Sequence, residues 1–151
     1  MKPTFWKLSQ GTEYFNYGDI MNSINDNLVY VHKDTKAKGV SNTTQAEHFI
    51  NAVIGDYFYL TYGNEGVFIL GQFTGPANLF SKRGDGWLDR PFRLIATAKH
   101  HQYYEGDKKW WTPNDNSTFI QVPEHELREF EDSILKPFFG ISLADYGIKD
   151  Y

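Results

Sequence analysis

The chain has 151 residues, no cysteine, 15 basic against 19 acidic side chains, and a formal charge of −4. That is the length of one domain, 1–151, able to bury a core without staples, and it excludes disulfides and thiolate metal sites. The opening MKPTFWKLSQ turns polar before any apolar run long enough for a signal peptide or membrane span, so a soluble cytoplasmic protein with no membrane partner is expected.

In chain order, Thr4 to Ser9 (TFWKLS) reads as an opening strand closed by Gln10-Gly11. From Thr12 to Ile24 the apolar residues recur at roughly helical spacing, although Gly18 and several Asn weaken that pattern. Leu28 to His32 (LVYVH) is a short β-branched strand, and Lys33 to Asn42 is a lysine-bearing loop. Thr44 and Glu47 form a capping-box pair, and Ala46, Phe49, Ile50, Val53 and Ile54 follow the spacing of one buried helical face that Gly55 ends. The stretch GDYFYLTYGNEGVFILGQFTGP then reads as a long hairpin turning at Tyr62–Gly66. Aromatics on both faces of its first strand predict a central position in a barrel.

After Pro76 a loop leads to Trp87, and Phe92 to Ala98 and Thr118 to Val122 read as strands. Pro123 opens a final helix with the stripe Leu127, Phe130, Ile134 and Leu135; Pro137 is expected to stop it, with Phe138, Phe139 and Ile141 docking back. Glu124, Glu126, Glu129, Glu131 and Asp132 fit a solvated face of that helix. The order of elements predicts an α+β fold around a small barrel.

Charge is unevenly spread. From Trp110 onward there are 3 basic and 8 acidic residues, whereas Lys82–Lys109 holds 7 basic and 4 acidic ones. The 12 Phe, 10 Tyr and 4 Trp are core residues first, but they are also the residue types that stack on bases or cage methylated groups, and so many leave room for some to act outside the core. Of Trp110 and Trp111, neighbours on any extended segment, at most one can be core; Trp6 reads as core. No nucleotide-binding, metalloprotease or nucleophile-elbow motif occurs, and His100-His101 lacks partners at ligand spacing. Nothing in these motifs makes an enzyme, and neither a cofactor nor a metal is expected.

Four pieces in order resemble EVE and YTH domains of the PUA-like superfamily: FWKLS; LVYVH with its basic loop and a helix ending in Gly55-Asp56; the hairpin; and IQVPEHELREFEDSI. The resemblance covers about Thr4 to Leu135 and implies a small curved β-barrel with flanking helices that reads a modified nucleobase in an aromatic pocket. It also implies the base-binding residues: Tyr30 and Trp87 at the positions of the cage tryptophans, Tyr62 at the hairpin end, and Ser9 and Gln10 for the base edge, with His32 beside them. Tyr30 departs from the family, which has Trp there. Lys33, Lys36, Lys38, Lys82, Arg83, Arg90 and Lys99 are the expected phosphate contacts.

The opening F-W-K-[LI]-S-x-G also looks like the start of recognition domains in McrB-type restriction subunits. That likeness implies double-stranded DNA carrying a methylated base as partner, base flipping, and a GTPase motor and nuclease elsewhere in the system. A modified-RNA reader of the PUA-like kind and a protein-interaction domain stand as alternatives.

Overall fold

The computed structural model describes residues 3–39 and 41–148. Six strands form one curled sheet: β1 (Phe5–Ser9), β2 (Leu28–His32), β3 (Tyr57–Thr61), β4 (Val67–Phe73), β5 (Trp87–Thr97) and β6 (Phe119–Gln121), in the order β2-β5-β4-β3-β1-β6. β1 runs parallel to β3, with Phe5 opposite Tyr57 and Ser9 opposite Thr61; the other pairs are antiparallel. Three α-helices, α1 (Tyr17–Asp26), α2 (Gln45–Asn51) and α3 (Leu127–Phe130), complete an α+β half-barrel.

Alternation along the central strands builds two cores. Phe58 and Leu60 of β3 join Trp6, Leu8, Phe49, Phe92 and Phe119 on the concave side. Tyr57 and Tyr59 join Phe5, Trp111, Phe130 and Ile134 under the C-terminal segment. β3 is buried along its whole length, as expected for a central strand. Gly71 lets β4 cross this packing: a Cβ there would lie 2.6 Å from the Phe58 ring and 2.9 Å from that of Phe92.

Between the ends of the sheet lies a seam, which α2 covers by packing on both β2 and β6. Its first residue, Gln45, accepts the edge amides of Thr118 (2.7 Å) and Phe119 (2.9 Å), and its side-chain amide donates to the Lys36 carbonyl at 2.9 Å. Amides that an open edge would leave unpaired are thus satisfied by one side chain.

Several elements depart from the sequence expectation. α1 starts only at Tyr17, behind a full capping box between Asn16 and Asp19, because the preceding loop turns back on Gly11. α2 stops at Asn51, not at Gly55, and Ile50, Val53 and Ile54 are 40%, 63% and 55% exposed. The cause is Asp56: its carboxylate accepts the Val53 amide at 3.0 Å and the Trp6 indole N–H at 3.1 Å, which pulls the chain out of helix early. β5 begins at Trp87, five residues ahead of the expected start.

Pro137 does not end the last helix. It lies inside a π-helical segment, Glu131–Phe139, that closes at Gly140 in the left-handed conformation. Leu127, Phe130, Ile134, Leu135, Phe138 and Phe139 are buried as expected, with Ile141 packed against them. Glu131 is not on the solvated face: it is buried and accepts the Leu143 amide and the Ser142 hydroxyl. No helix among the described residues is long and apolar enough to cross a membrane.

Candidate functional site

A cleft of about 340 Å³ opens where the seam is left uncovered. Strand register supplies one wall. Tyr30 and His32 project from β2, and Trp87, the first residue of β5, lies opposite His32 in the ladder. The Trp87 indole meets His32 edge-on at 5.1 Å and Phe15 at 5.4 Å between ring centres, with Tyr14 at 5.8 Å. Gly86 makes this packing possible: its φ is +82°, and a Cβ would stand 2.6 Å from His32 Nε2. Tyr30 and Trp87 are both half-buried, leaving ring surface for a guest. Burial, reinforced by Asp89 and Asp26, raises the pKa of the Tyr30 hydroxyl, so it remains a donor at neutral pH.

The opposite wall is polar and irregular. Ser9 ends β1, and Asp115, Asn116 and Thr118 come from the loop before β6, with Gly63 and Asn64 of the hairpin turn at the margin. This loop hangs on Lys7, which is fully buried and donates to the carbonyls of Asp115 (2.7 Å) and Ser117 (2.8 Å) and to the Ser117 hydroxyl (2.9 Å). Burial lowers the Lys7 pKa to about 7, with the Asp115 charge opposing that shift and Lys38 adding to it. Burial alone would raise the Asp115 carboxyl, but the hydrogen bonds from Lys38 and the Ser117 amide outweigh it and hold the acid below its usual range.

Ser9, Tyr30, His32 and Trp87, all expected at the site, line this cleft together. Gln10 does not. It is fully buried, receives the Tyr30 amide at 3.0 Å and donates to the Ser23 hydroxyl at 3.1 Å, tying β1 to β2 across the seam. Tyr62 also stays outside, donating its hydroxyl to the Phe15 carbonyl at 2.9 Å and so bracing the loop that carries Tyr14 and Phe15.

The expected phosphate contacts separate into three groups. Lys33 and Lys36 are exposed on the loop that follows His32, and Lys82 is exposed on the loop that precedes Trp87. Lys38 is engaged with Asp115 at 3.0 Å, and its ammonium lies 5.8 Å from the half-exposed Trp110 ring. Arg83 is drawn into the aromatic wall, with its guanidinium 3.8 Å from the Phe15 ring centre, 4.9 Å from Trp87 and 5.7 Å from Tyr30, and bonded to the Tyr14 carbonyl.

Arg90 is a correction. Arg90 is buried, donating to the carbonyls of Gly75 and Phe49 at 2.9 Å over the Phe73 ring, so no phosphate can reach it. Lys99 is exposed beyond the far end of β5, where its amide donates to the Phe138 carbonyl, and it does not line the cleft.

Sequence reasoning missed Lys7, Gln45 and the Asp115–Thr118 loop. The one available signal was a lysine inside the apolar strand FWKLS, an inward position for which a charge needs a reason. Trp6 is core, stacked on Phe119 at 4.4 Å, and of the tryptophan pair Trp111 is buried while Trp110 is 51% exposed. Among the described residues no three His, Asp or Glu side chains gather where they could hold a metal ion.

No protein-family model matches this sequence, and no curated protein resembles it detectably. Among solved structures, a hypothetical protein from Leishmania major is similar in fold, with a TM-score of 0.52 at 13% identity, covering 87% of this chain and 96% of that one. At that identity the likeness extends to the fold alone.

Proposed function

We propose that this domain binds a modified, methylated nucleobase drawn out of a DNA strand, and performs no catalysis itself. In this reading it is the specificity domain of a modification-dependent restriction system of the McrB type, whose GTPase motor and nuclease lie in other domains or subunits. The observation that carries the reading is the convergence of Ser9, Tyr30, His32 and Trp87 on one cleft of about 340 Å³, the low end of the range for small-ligand pockets. Flat rings on one side and hydroxyl, amide and carboxylate groups on the other suit a flat guest with a polar edge. Stacking offsets the cost of removing a base from its neighbours, and the polar groups select its identity. Lys33, Lys36 and Lys82, exposed beside the cleft, suit the flanking phosphates.

The test is a titration of labelled duplexes carrying 6-methyladenine, 5-methylcytosine or no mark, alongside single-stranded RNA with the same marks. Preferential, salt-dependent binding to one marked duplex is expected, and Trp87→Ala or Tyr30→Ala should weaken it at least about tenfold, the scale of one lost base–aromatic stack. Equal or absent binding across the DNA panel rejects the reading. A preference for the marked RNA transfers it to an RNA reader.

A further inference from the structure

Phe80 is 89% exposed, the most exposed large apolar side chain among the described residues, and its neighbour Leu79 is 51% exposed. Scattered apolar residues on a surface need no explanation. Phe80 differs because its backbone is held in place while its ring stands almost wholly in solvent. Asn78 brackets it, accepting the Phe80 amide at 3.1 Å and donating to the Phe80 carbonyl at 3.3 Å. Asn78 is itself fixed to Asp89 of β5 by a pair of backbone bonds. On the other side, the Ser81 amide donates to the carbonyl of Trp87, and Arg83 anchors the loop to Phe15 and Tyr14. A bare phenyl ring is therefore presented on a braced loop one residue from a direct bond to the cleft's own tryptophan, with the exposed Lys82 just beyond it.

We propose that Phe80 is the wedge that enters the duplex and fills the gap left by the base taken into the cleft. The proposal rests on the base-binding reading above and adds to it the residue that keeps the duplex stack open once the base has left it. Apolar side chains between base steps are the established means of holding an unstacked geometry, and a wedge must stand close to the pocket that receives the base. The lysines on the loops at both sides of the cleft supply the charge that a phosphate backbone requires.

The experiment compares wild type, Phe80→Ala, Phe80→Trp and Trp87→Ala on the marked duplex that wild type prefers and on the same marked strand alone. Phe80→Ala is expected to weaken duplex binding about tenfold or more, since unstacking a step costs a few kcal/mol, while single-strand binding stays within about twofold. Phe80→Trp should restore duplex binding. The ring is 89% exposed, so all Phe80 variants should melt as wild type does, measured in parallel. If Trp87→Ala abolishes binding while Phe80→Ala matches wild type on the duplex, the wedge is wrong and the base-binding reading stands. Equal losses on duplex and single strand also overturn the wedge, making Phe80 a general contact. If wild type prefers no marked duplex, or Trp87→Ala binds as wild type does, the base-binding reading fails and the wedge with it.

Discussion

The two walls of the cleft are positioned by different physics. Tyr30, His32 and Trp87 stand where they do because β2 and β5 are in register, so repeating backbone hydrogen bonds set each ring. Asp115, Asn116 and Thr118 lie on irregular chain that is held by side chains reaching from elsewhere: Lys7 from β1 and Gln45 from α2. A ladder tolerates the loss of one side chain, because the backbone still aligns the rest. A loop pinned by two buried polar groups does not. The aromatic wall should therefore be where binding is lost by mutation, and the polar wall where stability is lost.

The largest expected effect is at Lys7. Lys7→Met keeps the volume but leaves two buried carbonyls and a hydroxyl without their donor, which should lower stability by about 3 kcal/mol in urea denaturation. A smaller loss than that of Trp87→Ala would break the contrast between the walls. The same residue carries a pH signature. Its folded pKa of about 7 lies below the ordinary value of 10.5, so between these values the unfolded chain binds more protons and this group's contribution to stability rises with pH. Below about pH 7 the contribution is at its lowest. Wild type should gain on Lys7→Met between pH 7 and about pH 9.5, short of the range in which tyrosines such as Tyr146, raised to about 12 mainly by burial, reverse the trend.

Gln45→Ala comes next. It strips the acceptor from the Thr118 and Phe119 amides, so a loss of about 2 kcal/mol is expected, with faster hydrogen exchange at those two amides. Protection that survives the substitution would mean that β6 holds the seam without α2. The smallest effect should be at Tyr62→Phe, where one half-buried hydrogen bond to the Phe15 carbonyl is lost, worth about 1 kcal/mol, with the Phe15 resonances as the local probe.

The same contrast explains what could be read from the sequence. Of the aromatic wall, Tyr30 and Trp87 were pointed to by the family resemblance; the strand LVYVH that carries Tyr30 is legible from its local β-branched pattern, whereas the strand that carries Trp87 was expected to begin only at Phe92. The polar wall was not legible, because each of its ties joins residues far apart; Lys7 and Asp115 are 108 positions distant. The resemblance points to Gln10 and Tyr62 as pocket residues, yet Gln10 directs its amide to the Tyr30 backbone and the Ser23 hydroxyl and Tyr62 its hydroxyl to the Phe15 carbonyl, behind the cleft wall. Arg90 looked like any surface arginine in composition, and only the approach of Phe49 and Gly75 makes it an interior one. The helix after Thr44 was cut short by a carboxylate, Asp56, whose influence on Val53 no periodicity reveals.

The pairing of β1 has a consequence for how the molecule assembles. The hairpin of β3 and β4 is local, but β1 must wait for β3 on one side and for β6, at the other end of the chain, on the other. Contacts of such long span form late, so during folding β1 is an apolar strand with an unpaired edge, the template on which chains associate. An inward-pointing lysine in its middle is a recognised guard against that event. Lys7 would then keep FWKLS from pairing with a second copy until Ser117 and Asp115 arrive to take its three hydrogen bonds. Refolding of Lys7→Met at rising protein concentration should lose yield to aggregation well before the wild type does.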